Sequence, residues 1–337
     1  MKRLDNPARV KRLIEQSISA FELNLTGLTV LTEAASGPFV CTALTAALAG
    51  ASVIAVTRGS RYGKASEVLK YCRDWAQDLG VATRILATDR PALEFASHAD
   101  IVTNLGFVRP ISEALIHRLP SHAVIALMWE PWEFRSEDLD LAACRKAGIP
   151  VIGTCETNER LRIFEYLGAV ALKLLFETGI EVVRSRVAVI GSDPFGKVIR
   201  TALAAAGAVL VESDAHSLDA LVVAEHRDSA CLVGPHGIDP YVLAANGTQL
   251  VHICGVVDEG ALAMAGLQKH PAHSVPFGTM TVTTDYTGPR PVIDLHTAGL
   301  KVGEIAVRER KAGADVCEAV AVAVKSGLGL AMENDAT

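Results

Sequence analysis

Apolar residues recur every three or four positions over 7–22, where Val10, Leu13, Ile14, Ile18 and Phe21 share one helical face behind an Asn6-Pro7 start. Beyond this lead-in helix, short and wholly apolar runs bounded by Gly, Pro or charge alternate with alanine-rich or amphipathic stretches. Strands are expected at 28–32, 52–56, 81–86, 101–103, 124–128 and 151–152, and helices at 37–49 and 64–79. Runs without polar alternation predict strands buried on both faces, and strands alternating with helices predict a parallel sheet covered on both sides. One unit recurs in outline, a buried strand, a glycine-bearing turn and an alanine-rich helix, at 28–56 and again at 186–212.

The run at 157–178 has no proline and predicts a helix of about 20 residues, long enough to connect two domains. After it, strands are expected at 187–190, 209–211, 230–233 and 249–253, and helices at 195–206 and 258–265; residues 218–223 read as helical. Pro, Gly, His and Thr crowd 268–291, which predicts a long loop or small hairpin, and a closing helix over 302–323 is expected to pack back on the first domain. The expected fold class is α/β, with two Rossmann-type domains of parallel sheet joined by a long helix. Residues 1–156 would form a substrate or catalytic domain, with 300–337 packing back on it. Residues 157–179 would connect it to a dinucleotide-binding domain at 180–299, with the active cleft between the two.

The 337 residues are half hydrophobic, ample for two cores. A formal net charge of −6 with dispersed basic residues gives no support for nucleic-acid binding. The apolar runs stop far short of the roughly 20 residues of a membrane span. The first sixteen residues carry frequent charge and no apolar core, so a soluble, cytoplasmic protein is expected. Seven cysteines, with no CxxC pair, predict free thiols, and ten histidines at unfavourable spacings predict no structural zinc. Few aromatic residues beside a broad apolar fraction are compatible with a homodimer.

The most pointed motif is VAVIGSDPFGKVI, with Gly191 at the strand end and Gly196 five residues on. These are the places where a dinucleotide turn needs glycine, for a tight bend and for close helix packing. Ser192, Asp193 and Phe195 fill the turn, and Asp193 replaces the middle glycine of G-x-G-x-x-G. Glu212 follows at the spacing where a carboxylate accepts ribose hydroxyls and repels a 2′-phosphate, so NAD is favoured over NADP. Lys197 lacks the Walker spacing, because Val198 follows it, and Ser36 lacks the nucleophile-elbow pattern.

The order of these signals resembles the cofactor half of the D-isomer-specific 2-hydroxyacid dehydrogenases: a linker helix, the 191–196 turn, Glu212, then ICGVVDEGAL at 253–262 and LHTAG at 295–299. That family carries similar RG-x-x-VDE-x-AL and PH-x-AG stretches, and the likeness covers about residues 150–305. The resemblance implies that His296 is the general acid/base and that Cys254 and Gly255 line the cofactor, with Cys254 standing where the family has a substrate-clamping arginine. Asp285 is the candidate for the carboxylate that orients the histidine. Asp294 is nearer but on the other face of its expected strand, and Tyr286 and Lys301 flank His296.

In the first half, loops at strand carboxyl ends supply the substrate candidates. Ser36 and Gly37 offer amides at a helix start, Arg58, Arg61 and Arg109 are candidate anion clamps, and Asn104, Trp129 and Glu130 are candidate cleft residues. The expected activity is an NAD-dependent oxidoreductase acting on a small anionic 2-hydroxy or 2-oxo compound. Two alternatives stay open: a lyase or hydrolase that retains its dinucleotide, on the plan of adenosylhomocysteine hydrolase, and a non-catalytic regulatory protein that senses the dinucleotide.

Overall fold

The computed structural model of the chain describes residues 6–60, 63–214 and 217–332. The Asn6 side chain accepts from the Arg9 amide at 2.9 Å and starts α1 (Pro7–Phe21), whose Val10, Leu13, Ile14 and Phe21 are buried as the periodicity requires. There follow β1 (Thr29–Glu33), α2 (Cys41–Leu48), β2 (Ser52–Val56), α3 (Ala65–Asp78), β3 (Ile85–Thr88), β4 (Ile101–Thr103), α4 (Glu113–Ile116), β5 (Val124–Ala126), α5 (Leu141–Ala147) and β6 (Val151–Thr154). Next come α6 (Glu165–Glu177), β7 (Arg186–Ile190), α7 (Phe195–Ala205), β8 (Val209–Leu210), β9 (Ala220–Ala224), β10 (Cys231–Val233) and α8 (Pro240–Ala245). The chain continues with β11 (Gln249–Cys254), β12 (Val256–Val257), α9 (Glu259–Ala265), β13 (Lys269–His270), α10 (Arg290–Ala312), α11 (Val316–Lys325) and β14 (Gly329–Ala331).

The chain divides into two compact units. Unit 1 comprises 1–161 and 289–337, and its sheet runs β14-β6-β5-β4-β1-β2-β3. Every pair in it is parallel except β14 against β6. The order reverses direction between β1 and β4, which leaves a crevice at their carboxyl ends. Helix α10 lies against β4, β5 and β6. It comes that close because Gly299 and Gly303 have no side chain: a Cβ at Gly299 would stand 2.6 Å from Met128 Cε, and one at Gly303 2.9 Å from Ile101 Cγ2.

Unit 2 comprises 162–288 and carries an all-parallel sheet, β13-β11-β9-β7-β8, with a small β10-β12 pair beside it. Its crevice falls between β7 and β9. Residues Leu167, Val170, Ala171, Leu174 and Leu175 of α6 pack with Ile199 and Leu203 of α7 on the buried strands. The fold is thus α/β with mostly parallel sheets in both units.

Five elements differ from the sequence expectation. The strand expected at 81–86 begins only at Ile85, as β3, because Ala82–Arg84 form a 3-10 turn after α3. The 218–223 segment is not a helix but β9, buried at every position between β7 and β11; five consecutive apolar residues fit a strand covered on both faces. The helix expected over 157–178 starts only at Glu165, because Asn158 Oδ1 accepts from the Arg160 amide and its Nδ2 donates to Gly327 O, which turns the chain first. The segment holding Asp294 and His296 is helical, with Pro291 in the first turn and Ile293, Thr297, Leu300 and Val307 on the buried face. The closing helix is two helices, since Gly313 ends α10 in the left-handed region and Asp315 caps α11.

Candidate functional site

In unit 2 the β7–α7 turn brings together Gly191, Ser192, Asp193, Phe195 and Gly196. A Cβ on Gly196 would collide with the Gly191 carbonyl oxygen, and one on Gly191 would stand 2.6 Å from Ala224 O, so glycine is required at both positions by backbone contact. Asp193 is exposed and pairs with Arg200 Nη2 at 3.2 Å, and Arg200 Nη1 also reaches Gly191 O at 3.5 Å. The Phe195 ring stacks on His226 at 4.1 Å and lies 5.8 Å from Phe164. Glu212 is exposed two residues past β8.

Sequence reasoning missed Glu225, the residue directly after β9. Its Oε2 accepts from Ser192 N and Ser192 Oγ, each at 2.7 Å, and its Oε1 accepts from Arg227 N at 2.7 Å and Asp228 N at 3.2 Å. Burial opposes the charge, but the Ser192 hydroxyl and the three backbone amides outweigh it and hold the carboxyl down at about 2. The signal was an acid at the end of an apolar run, legible once 220–224 is taken as a strand. Cys254 and Gly255 adjoin it: Glu225 N donates to Cys254 O at 3.2 Å, and burial pushes the Cys254 thiol up to about 12. Asp285 sits in a short 3-10 turn, Thr284–Thr287, and accepts from the Thr283 hydroxyl. Tyr286 donates to Glu177 at 2.7 Å.

The fit of this turn to a nicotinamide dinucleotide is divided. The abutting glycines and the exposed Glu212 suit close approach of a backbone-bound nucleoside. Of the turn's donors for a diphosphate, three positions are already spent or missing. Ser192 N is already donated to a carboxylate, Gly196 N donates to Ser192 O, and Pro194 has no N–H to offer.

In unit 1, Ser36 and Gly37 open a 3-10 turn, Gly37–Val40, after β1. Glu33, buried at the end of β1, accepts from Phe107 N at 3.2 Å; burial pushes it up to about 7, against the pull of that amide and of Arg109 and Arg58. Arg58 donates to the carbonyls of Gly106, Phe107 and Arg109 at 3.1–3.4 Å, and Arg109 pairs with Asp138 and lies over the Trp129 ring. Neither guanidinium is the unengaged clamp of the sequence expectation, because the loop after β4 is built around both. Arg61 lies outside the described residues.

Asn104, 2% exposed, accepts from Met128 N at 2.9 Å through Oδ1, while its Nδ2 and Trp129 Nε1 are buried without a partner. Glu130 accepts from Glu156 N at 3.0 Å. Burial, then the neighbouring carboxylates, raises Glu133 to about 7 and Glu156 to about 8, and the two carboxyls share a hydrogen bond.

His296 is not at a strand end. It lies inside α10 in unit 1, 4% exposed, with Nδ1 2.6 Å from Thr42 Oγ1 and its ring 5.9 Å from that of Phe39. Burial pushes it down to about 3, so the imidazole is neutral through the physiological range. Lys301 donates to Glu22 O at 2.8 Å and pairs with Glu304. Asp294, on the same helix, is raised by burial. Among the described residues no group of three or more His, Cys, Asp or Glu is placed to hold a metal ion, and no helix is long and apolar enough to cross a membrane.

No protein-family model matches the sequence, and no curated protein does. Solved structures do resemble the fold. A dipicolinate synthase polypeptide from Bacillus halodurans is 14% identical, with a TM-score of 0.51 over 85% of this chain and 99% of its own. Its counterpart in the dipicolinate synthase of Bacillus subtilis is 13% identical, with a TM-score of 0.53 over the same shares. At these identities the likeness is one of fold.

Proposed function

We propose that the chain is a nicotinamide-dinucleotide-dependent oxidoreductase that takes its cofactor at the β7–α7 turn of unit 2. The observation that carries the reading is the contact of Gly191 with Gly196 at the carboxyl end of the strand where an all-parallel sheet reverses its order. The fold likeness to the two dipicolinate synthases supports it. Glu212, exposed beyond the neighbouring strand, favours NAD, because a carboxylate there accepts ribose hydroxyls and repels a 2′-phosphate.

The residues present do not support the 2-hydroxy or 2-oxo acid substrate that the family resemblance implies. A 2-hydroxy acid needs a cationic clamp and an acid/base on the reacting oxygen. Here Cys254 is a buried thiol, Arg58 and Arg109 are engaged within unit 1, and His296 is buried and neutral. The same facts favour a second reading, a protein that binds the dinucleotide without turning it over. Calorimetry with NAD, NADH, NADP and NADPH tests the first step: NAD(H) binds, and Glu212→Ala weakens it about tenfold or more, the equivalent of 1.4 kcal/mol. Preference for NADP(H) would remove the Glu212 assignment. Hydride transfer to a panel of 2-oxo and other carbonyl compounds then separates an enzyme from a sensor.

A further inference from the structure

We infer that Glu225 is a built-in anionic plug of the β7–α7 turn, and that a diphosphate takes the Ser192 amide only by displacing its carboxylate. The inference rests on the dinucleotide reading above and concerns which ligands that site admits.

The geometry is that of an anion site already filled. A Rossmann turn binds phosphate through amides facing the end of the first strand and through the helix start behind them. Here one carboxylate oxygen takes both the Ser192 amide and the Ser192 hydroxyl at 2.7 Å, and the other takes the Arg227 and Asp228 amides. Glu225 reaches across from β9 to the loop after β7, the two strands that flank the crevice. An amide has one proton, so it serves either the carboxylate or a phosphate oxygen. Two anions brought onto the same donors also repel each other.

Asp193 is a lesser obstacle, since it is exposed and paired with Arg200. Pro194 makes the competition sharper by removing one donor that the turn would otherwise hold in reserve. Because four hydrogen bonds keep Glu225 ionised far below neutrality, protonation does not open the turn at physiological pH. Release requires movement of the side chain. Glu225 thereby acts as a specificity-determining residue, raising the threshold for any diphosphate-bearing nucleotide.

The test compares wild type, Glu225→Gln and Ser192→Ala by calorimetry, using NADH and, separately, inorganic pyrophosphate. Glutamine keeps the shape, but its NH2 group must face donors on one side, either Ser192 or the Arg227–Asp228 amides, so it cannot hold both. Ser192→Ala removes one hydroxyl donor from the plug and leaves the turn backbone intact. Circular dichroism and thermal melting establish that each variant is folded before titration.

The plug predicts that Glu225→Gln binds both ligands at least about tenfold more tightly than wild type, equivalent to 1.4 kcal/mol, with Ser192→Ala intermediate. Equal or weaker binding of NADH by a folded Glu225→Gln, with wild type still binding, overturns the plug and leaves the dinucleotide reading standing. Absence of binding in all three proteins overturns both.

Discussion

Thr42 Oγ1, in the first turn of α2, lies 2.6 Å from Nδ1 of His296 in the interior of α10. The same hydroxyl is 3.2 Å from Phe39 O; with its proton directed there, the imidazole donates from Nδ1 and holds α10 to α2 in the core of unit 1. Thr42→Val leaves a buried ring nitrogen without a partner and costs about 1–3 kcal/mol, measured by denaturant unfolding. A histidine held neutral by burial has a folded value, about 3, below its unfolded value, so its contribution is complete above about 6.5 and declines as pH falls toward 3. His296→Gln removes that part of the acid slope; an unchanged slope places the titration elsewhere.

Glu33 gives a slope of the opposite sign. Its folded value, about 7, lies above that of an unfolded glutamate, so the folded state holds a proton that the unfolded state has lost. Stability from this residue is greatest at acid pH and declines as pH rises from about 4.5 to 7. Glu33→Gln keeps an acceptor for the Phe107 amide and abolishes the decline. Urea unfolding at pH 5 and pH 8 reads the difference, and a variant less stable than wild type at pH 8 would show that the ionised carboxylate is needed there.

At Glu225 the folded value is depressed to about 2, so its hydrogen bonds stabilise unit 2 fully above the unfolded glutamate value of about 4.5. That stability is lost as pH falls from there toward 2. Melting curves of Glu225→Gln between pH 2 and 5 run flatter than those of wild type, a readout independent of any nucleotide.

Gly196→Ala places a methyl group inside the Gly191 carbonyl, where only backbone can yield. The expected cost is about 1–3 kcal/mol, together with loss of dinucleotide binding. A variant of wild-type stability that still binds would mean that the turn is softer than its contacts indicate.

Much of this fold is readable along the chain because burial periodicity is local. Strands β1, β2, β4, β5 and β6 of unit 1, the 186–206 strand–turn–helix and the Asn6 cap follow from residues within a few positions of one another. Two misreadings mark the limit of that signal. Residues 220–224 are too few and too uniformly apolar for period to separate helix from strand, and LHTAG reads as a strand end only when its glycine is taken for a turn, whereas Gly299 serves to bring α10 onto the sheet.

What the order of residues determined was the two-unit α/β plan and the strand–turn–helix at 186–206 with glycine at 191 and 196. Tertiary structure alone decided which charges and protons are spent. Glu225 meets Ser192 across 33 residues, and His296 meets Thr42 across 254. Sheet order and helix placement choose such partners, and no local pattern records them. Burial then sets the protonation of each group, because the cost of charge depends on the atoms packed around it rather than on its neighbours in the chain.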